Sequence, residues 1–424
     1  MRWTRAAGRA LLVVAVVLAG YAGFGVRADA GAASGGRGPL TLVTAGDLTG
    51  YLSPLLEDWN ESHPGERVTL VELPDSADET RAQMISELRS GRGRFDVLNI
   101  DVAWTPEFAA AGWIAPLERD RFPLDAFLRP VVDTATFDGR LYAVPYVTNA
   151  GLLYYRKDIL DREGEEPPRT WAELARQART IAPEYGLDGY AGQFLPYEGL
   201  TVNVTEAVHS GGGSILRDDG ARVSVDSEAA RAGLRFLGDG VREGWMSRDA
   251  LGYKEEESRR AFQDGRLLFL RNWPYVYADA SADGSKIAGR FGAVPLPGPD
   301  GPGTSVLGGS NLAVSSNSRH PASAADLISY LTSEPVQRKV LTEGSLPPVR
   351  AALYEDPELI RAHPYLPTLR ESLLSAAPRP KSPRYDQVSL AVQAVAQDVM
   401  ALRQTPEEAV ARLARELGAI SRAD

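Results

Sequence analysis

The chain has no cysteine in 424 residues. That removes disulfides, thiolate nucleophiles and Cys-ligated metals from consideration. Histidine is almost as scarce, with four in all. His63, His320 and His363 each directly precede a proline and so sit at turns, and His209 precedes Ser210-Gly211. None is spaced with a second histidine or a carboxylate as a metal site or a catalytic triad requires. No glycine-rich run is followed by Lys-Ser/Thr, so a phosphate loop is absent, and Gly211–Gly213 and Gly301–Gly309 lack the dinucleotide fingerprint. There is no Gly-x-Ser-x-Gly elbow. Like charges run no longer than Glu255–Glu257, and a net charge of -10 argues against the basic stripe that a nucleic-acid partner needs. Paired carboxylates for glycoside hydrolysis are the one catalytic arrangement left open, because their separation of about 5–10 Å exists only in three dimensions. An enzyme is therefore not expected, nor a metal or a cofactor.

What is present begins with a targeting segment over residues 1–30. Arg2, Arg5 and Arg9 form a charged start, and Ala10–Val26 is uncharged and mostly apolar. That span falls short of the ~20 residues of a membrane-crossing helix. Ala28-Asp29-Ala30 fits a small-x-small cleavage pattern, giving a mature start near Gly31. Leu18-Ala19-Gly20-Tyr21 resembles a bacterial lipoprotein signal with Tyr21 where the lipid-bearing cysteine would stand, so anchoring through a thioether is chemically impossible. The protein is expected to be exported, and either released or held by an uncleaved N-terminal helix. Residues 31–39 read as a flexible tether.

The rest of the chain, 44% hydrophobic, supplies cores for two or three domains. Leu40–Thr44, Arg67–Leu73 and Phe95–Ile100 read as strands. Between them stand amphipathic helices carrying Leu52, Leu55, Leu56 and Trp59, then Met84, Ile85 and Leu88. Strand, helix, strand, helix, strand predicts a parallel sheet in an α/β fold. Ligands of such sheets sit beyond the carboxyl ends of the strands, where Asp47 and Asp101 stand. Asp101 would serve equally as a helix N-cap. Arg140–Tyr155 is extended and nearly uncharged, longer than an ordinary strand of about 5–6 residues, and suits a segment passing between domains. Asn149 in its middle is either a backbone-bonding core residue or a ligand contact. Thr170–Glu173 and Thr405–Glu408 are capping boxes, and Asp226 is placed to cap another helix. Phe291–Pro295 reads as a strand returning to the first domain.

The stretch Ala261–Tyr277 carries the most specific pattern. A helix end is stopped by Gly265, Leu267–Leu270 forms a short buried strand, and Trp273-Pro274-Tyr275 follows as an aromatic turn. Aromatic side chains at the mouth of a buried strand are positioned to meet something.

Four ordered segments resemble those of the extracellular solute-binding proteins of ABC importers, and within them the binders of trehalose, maltose and related oligosaccharides. They are Phe95–Trp104 (FDVLNIDVAW), the run from Leu141 (LYAVPYVTNAGLLYYR), Ala261–Tyr275 (AFQDGRLLFLRNWPY) and Leu307–Ser315 (LGGSNLAVS). The resemblance implies two α/β lobes joined by several hinge crossings, with a sugar held in the cleft between them. On that basis the first lobe is expected over 40–148 and 294–318, and the second over 149–293 and 319–424. Carried over by position, Asp101, Asn149, Trp273, Tyr275 and Arg379 are the expected ligand contacts, with Asp47, Glu255 and Gly309 as weaker ones. The implied partner is an ABC permease, served by a monomeric receptor outside the cell membrane. A secreted glycan-active hydrolase, or a solute sensor using the same cleft, is the alternative.

Overall fold

The computed structural model describes residues 36–47, 50–74 and 76–422. The expected export segment, with its cleavage pattern, lies outside them. The chain opens with strand β1 (Leu40–Ala45), helix α1 (Leu52–Ser62), β2 (Val68–Leu73), α2 (Ala77–Ser90) and β3 (Val97–Asp101). β1 pairs in parallel with both β2 and β3, because each connecting helix returns the chain to the same end of the sheet. The buried faces of α1 and α2 are those that the helical period marks in the sequence, Leu52, Leu55, Leu56 and Trp59, then Met84, Ile85 and Leu88.

The long extended run resolves into β4 (Ala143–Ala150) and β5 (Leu152–Tyr155), separated by Gly151 alone. β4 lies at one edge of the first sheet, whereas β5 lies inside a second sheet. The chain thus passes between lobes at Gly151. The second lobe continues with α3 (Trp171–Thr180), β6 (Asp188–Ala191), α4 (Glu198–Ser210), α5 (Glu228–Arg242), α6 (Glu255–Gln263), β7 (Leu267–Asn272) and β8 (Gly292–Pro295). α3 opens with the expected capping box: Thr170 Oγ1 accepts from the Glu173 N–H, and the Glu173 carboxylate from the Thr170 N–H. α5 is capped by Ser227, whereas Asp226 pairs with Arg231 instead. Gly265, at φ +75°, closes the end of α6, and every residue of β7 is buried. The second sheet has the order β8-β5-β7-β6.

β9 (Leu307–Val314) returns to the first sheet, antiparallel between β3 and β4, and completes the order β2-β1-β3-β9-β4. Helices α7 (Pro321–Leu331), α8 (Glu334–Gly344) and α9 (Leu366–Ser375) then pack on that first lobe, while α10 (Tyr385–Met400) and α11 (Pro406–Arg422) pack on the second. Among the described residues no helix is long and apolar enough to cross a membrane.

Two expected boundaries move. Residues 321–375 belong to the first lobe, since Leu327, Ile328, Leu331, Val340 and Leu341 share a core with Leu42 and Leu312. Gly292–Pro295 stays in the second lobe, where it pairs antiparallel with Leu152–Tyr155. Both shifts have one cause. An amphipathic helix face or a short apolar strand declares that it is buried, not which of two similar sheets buries it.

The lobes are joined near Gly151, Ser305 and Ala377, and these crossings are stitched to one another. Ser305 Oγ accepts from the Gly151 N–H at 2.6 Å. The Ser305 carbonyl accepts from the Ala377 N–H at 3.0 Å, and the Ala377 carbonyl from the Leu307 N–H at 2.8 Å. Beside them, Gly309 in β9 holds φ +99°, and a Cβ there would stand 2.1 Å from the Val147 carbonyl oxygen. Backbone conformation and close strand approach both exclude a side chain. Gly309→Ala is accordingly expected to cost about 2 kcal/mol or more of folding stability, read as the shift in a urea unfolding curve.

Candidate functional site

At the carboxyl end of β3 the chain turns sharply, and Asp101 caps the turn by accepting from the Ala103 N–H at 2.8 Å. The same carboxylate oxygen accepts a charge-assisted hydrogen bond from Arg379, which comes from the segment leading into α10 on the other lobe. Asp101 is therefore a cap, and it also faces the opposite lobe. Arg379 is buried, and its second terminal nitrogen donates to Glu198 Oε1 at 2.6 Å. Glu198, the first residue of α4, also accepts from the Tyr385 hydroxyl and, at 2.7 Å, from Ser389. Burial opposes the charge on Arg379, but Asp101 and then Tyr385 and Glu198 outweigh it, and the guanidinium is held above its ordinary pKa. Glu198 is pushed above the usual carboxylate range by burial, with Arg379 pulling the other way. A second ion pair crosses at the same edge, from Arg81 of α2 to Asp386 of α10 at 3.5 Å. The remaining space beside Arg379, between Val102, Ala103, Pro106 and Lys381, is about 10 Å³. That is scarcely room for one water, so the lobes meet here.

The second group forms at the end of β7. Trp273 is half-buried, and its ring lies 4.1 Å from the Arg271 guanidinium carbon, a cation–π contact. Its backbone carbonyl accepts from the Tyr154 hydroxyl at 2.9 Å, which fixes the turn. The outer edge of the indole abuts Gly308 on the first lobe: a Cβ there would sit 2.9 Å from Cη2 and Cζ3 and 3.3 Å from Asn149 Cβ. Trp273 and Asn149 thus converge on one glycine, since β9 places Gly308 opposite Asn149. The Asn149 amide is engaged by no other side chain among the described residues.

The other expected contacts are held in place by neighbours. The Tyr275 hydroxyl donates to Glu256 Oε1 at 2.9 Å, and its phenol is held well above its ordinary pKa by burial and by Glu256. Glu255 accepts from the Tyr197 hydroxyl at 2.6 Å, one residue ahead of Glu198, so it joins the Arg379 group through the start of α4. Asp47 is engaged by backbone: its carboxylate accepts from the N–H groups of Gly50 at 2.9 Å and Leu52 at 2.8 Å. These bonds tie Asp47 to the start of α1. Gly309 is explained by its backbone, as above.

Sequence reasoning missed the deepest polar residues. Arg271 makes a bidentate pair with Glu206, Nε to Oε2 at 2.7 Å and Nη2 to Oε1 at 2.6 Å, and Nη1 donates to Gln193 Oε1 at 2.9 Å. Both side chains are almost wholly buried. The signal was available: an arginine inside LLFLRN and a glutamate inside the buried helix α4 are charges that the interior tolerates only in partnership. A cavity of about 780 Å³ on the first lobe is lined by Thr41, Val71, Glu87, Arg94 and Asp96 and by no residue of either group.

Comparison with known proteins agrees with this architecture. The family profile for bacterial extracellular solute-binding protein matches residues 45–338. A probable ABC transporter-binding protein of Deinococcus radiodurans is 33% identical over 368 residues, covering 84% of this chain and 87% of its own. The solved structure of maltose-bound MalE3 from T. maritima superimposes with a TM-score of 0.84 at 35% identity, covering 90% of this chain and 99% of that one. A solute-binding protein of an ABC transporter from Thermotoga lettingae TMO, bound to α-D-tagatose, gives 0.81 at 26% identity over 91% of this chain and 100% of its own. Two α/β lobes stitched at three crossings, with a charged group and an aromatic group each meeting the opposite lobe, agree with these relatives, and the chain belongs to the bacterial extracellular solute-binding proteins that serve ABC transporters.

Proposed function

We propose that this protein binds a neutral sugar, a disaccharide of the maltose or trehalose type, between its lobes and delivers it to an ABC permease by lobe closure. The observation that carries the reading is Trp273, a half-buried indole backed by Arg271 at 4.1 Å and set against Gly308 and Asn149 of the opposite lobe. A sugar ring has apolar C–H faces and hydroxyl edges, and it needs one flat apolar surface and a few polar groups at its rim. Trp273 supplies the surface. The Asn149 amide and the Asp101 carboxylate supply the rim, Asp101 keeping acceptor capacity beyond its two bonds. Tyr275 and Glu255, tied to Glu256 and Tyr197, form the adjoining wall. Arg379, buried and already paired, acts by orienting Asp101, while Asp47 and Gly309 act through the shape of the first lobe.

Charge supports a neutral ligand. Arg379 is matched by Asp101 and Glu198, and Arg271 by Glu206, so neither arginine has spare charge for a carboxylate or phosphate. The maltose of MalE3 and the tagatose of the Thermotoga lettingae protein are both neutral sugars. In this reading the receptor is a monomer, exported by residues 1–30, and the permease recognises the closed arrangement of its lobes.

Calorimetry with maltose, trehalose, longer glucans, polyols and amino acids tests the class: heat is expected with a neutral sugar, and tight binding of an amino acid with no response to any sugar would sink it. Trp273→Ala is expected to weaken sugar binding at least tenfold while costing stability only about 1–2 kcal/mol, the scale of a desolvated cation–π contact. Asp101→Asn is expected to lose about tenfold or more in affinity, as for a hydrogen bond to a charged group. Arg379→Met should instead register in thermal unfolding, by about 3–5 kcal/mol, because it strands two carboxylates.

A further inference from the structure

Arg271 and Glu206 lie behind Trp273 and touch more than each other. Glu206 Oε1 receives the Ser305 hydroxyl at 2.8 Å in addition to Arg271 Nη2 at 2.6 Å. Ser305 Oγ accepts in turn from the Gly151 N–H at 2.6 Å, and the Ser305 carbonyl from the Ala377 N–H at 3.0 Å. The pair under the indole is therefore bonded to the Gly151 crossing through the Ser305 hydroxyl and to the second crossing through that hydroxyl and the Val306 N–H at 3.4 Å, and the Ser305 backbone carbonyl extends the link to Ala377. Gly151 makes the fit possible: a Cβ there would stand 2.6 Å from both Arg271 Nη2 and Glu206 Oε1. A guanidinium is planar and stacks, so its orientation dictates that of the ring lying on it. Nothing in the pair is solvated enough to relax independently.

We propose that Arg271 and Glu206 are positioning residues for Trp273, keyed through Ser305 to the hinge, so that the indole is held in its binding orientation only when the three crossings are arranged as they are here. The proposal rests on the reading of Trp273 as the sugar's stacking surface. It adds that lobe rotation and the aromatic surface are mechanically one unit: displacing a crossing withdraws the hydroxyl from Glu206, which frees the guanidinium and then the ring.

The test uses the full chain without ligand, so it does not depend on which sugar binds. The contribution of Trp273 to the near-ultraviolet circular dichroism is the wild-type spectrum minus that of Trp273→Phe. Ser305→Ala removes the hydroxyl that joins Gly151 to Glu206 and leaves the ion pair and the backbone bonds of Ser305 and Val306, and Glu206→Gln keeps the shape of the pair and removes its charge. With far-ultraviolet spectra and cooperative melting unchanged, both variants are expected to lose at least half of the Trp273 contribution. A band that survives intact in folded Ser305→Ala overturns the proposal, and that variant decides the matter if Glu206→Gln does not fold. An Arg271→Lys variant, which keeps the charge but not the plane, is expected to lose the band as fully as Glu206→Gln does; an intact band there likewise overturns it. Failure of Trp273→Ala to weaken sugar binding would instead remove the stacking reading, and the two failures are read in separate measurements.

Discussion

One serine hydroxyl ties two of the three lobe crossings to a buried ion pair. Ser305 sits on the second of the crossings, accepts from the backbone N–H of the first, and donates a hydrogen bond to a carboxylate that grips an arginine beneath the aromatic surface. Each bond in that chain is short, buried and directional, and each is costly to leave unmade away from water. The two lobes have separate hydrophobic cores, and the chain passes between them at these three crossings. The three crossings thus share one node, Ser305.

The cleft is bounded by two kinds of contact with opposite tolerances. At one edge, ion pairs from Arg379 and Arg81 span the lobes, and charge–charge attraction falls off slowly enough to act before the lobes meet. At the other, Trp273 rests against Gly308, where a contact exists only at van der Waals distance and a single methyl group would abolish it. The first kind of contact acts over a range of distances and the second only on touching.

The sequence disclosed periodic features well and long-range assignments poorly. The faces of α1 and α2, the capping box of α3, the glycine stop after α6 and the passage of the chain between lobes near Asn149 all follow from local chemistry, and the folded chain has them. Membership of residues 321–375 in the first lobe was not legible, because Leu327 or Val340 would suit either core. Within the site, Asp101 and Arg379 were named separately and are found bonded to each other, 278 residues apart in sequence. Asp47 and Gly309, named beside them, prove to be tied up in local backbone geometry. The Arg271–Glu206 pair escaped notice because nothing in a one-dimensional pattern says which buried acid meets which buried base; only the demand that each have a partner was written there.

Helix α4 has a consequence for how such a site can change. It carries Glu198 at its first residue and Glu206 eight residues later, and its residues from Glu198 to Val208 are buried. Each carboxylate anchors one arginine, so the charged end and the aromatic end of the cleft are both pinned to the same rod, separated by a helical rise of about 12 Å. That rod works as a ruler graduated in turns of about 5.4 Å. Remodelled loops cannot alter the spacing between the two anchors; it changes only when a carboxylate moves to another turn and its arginine moves with it.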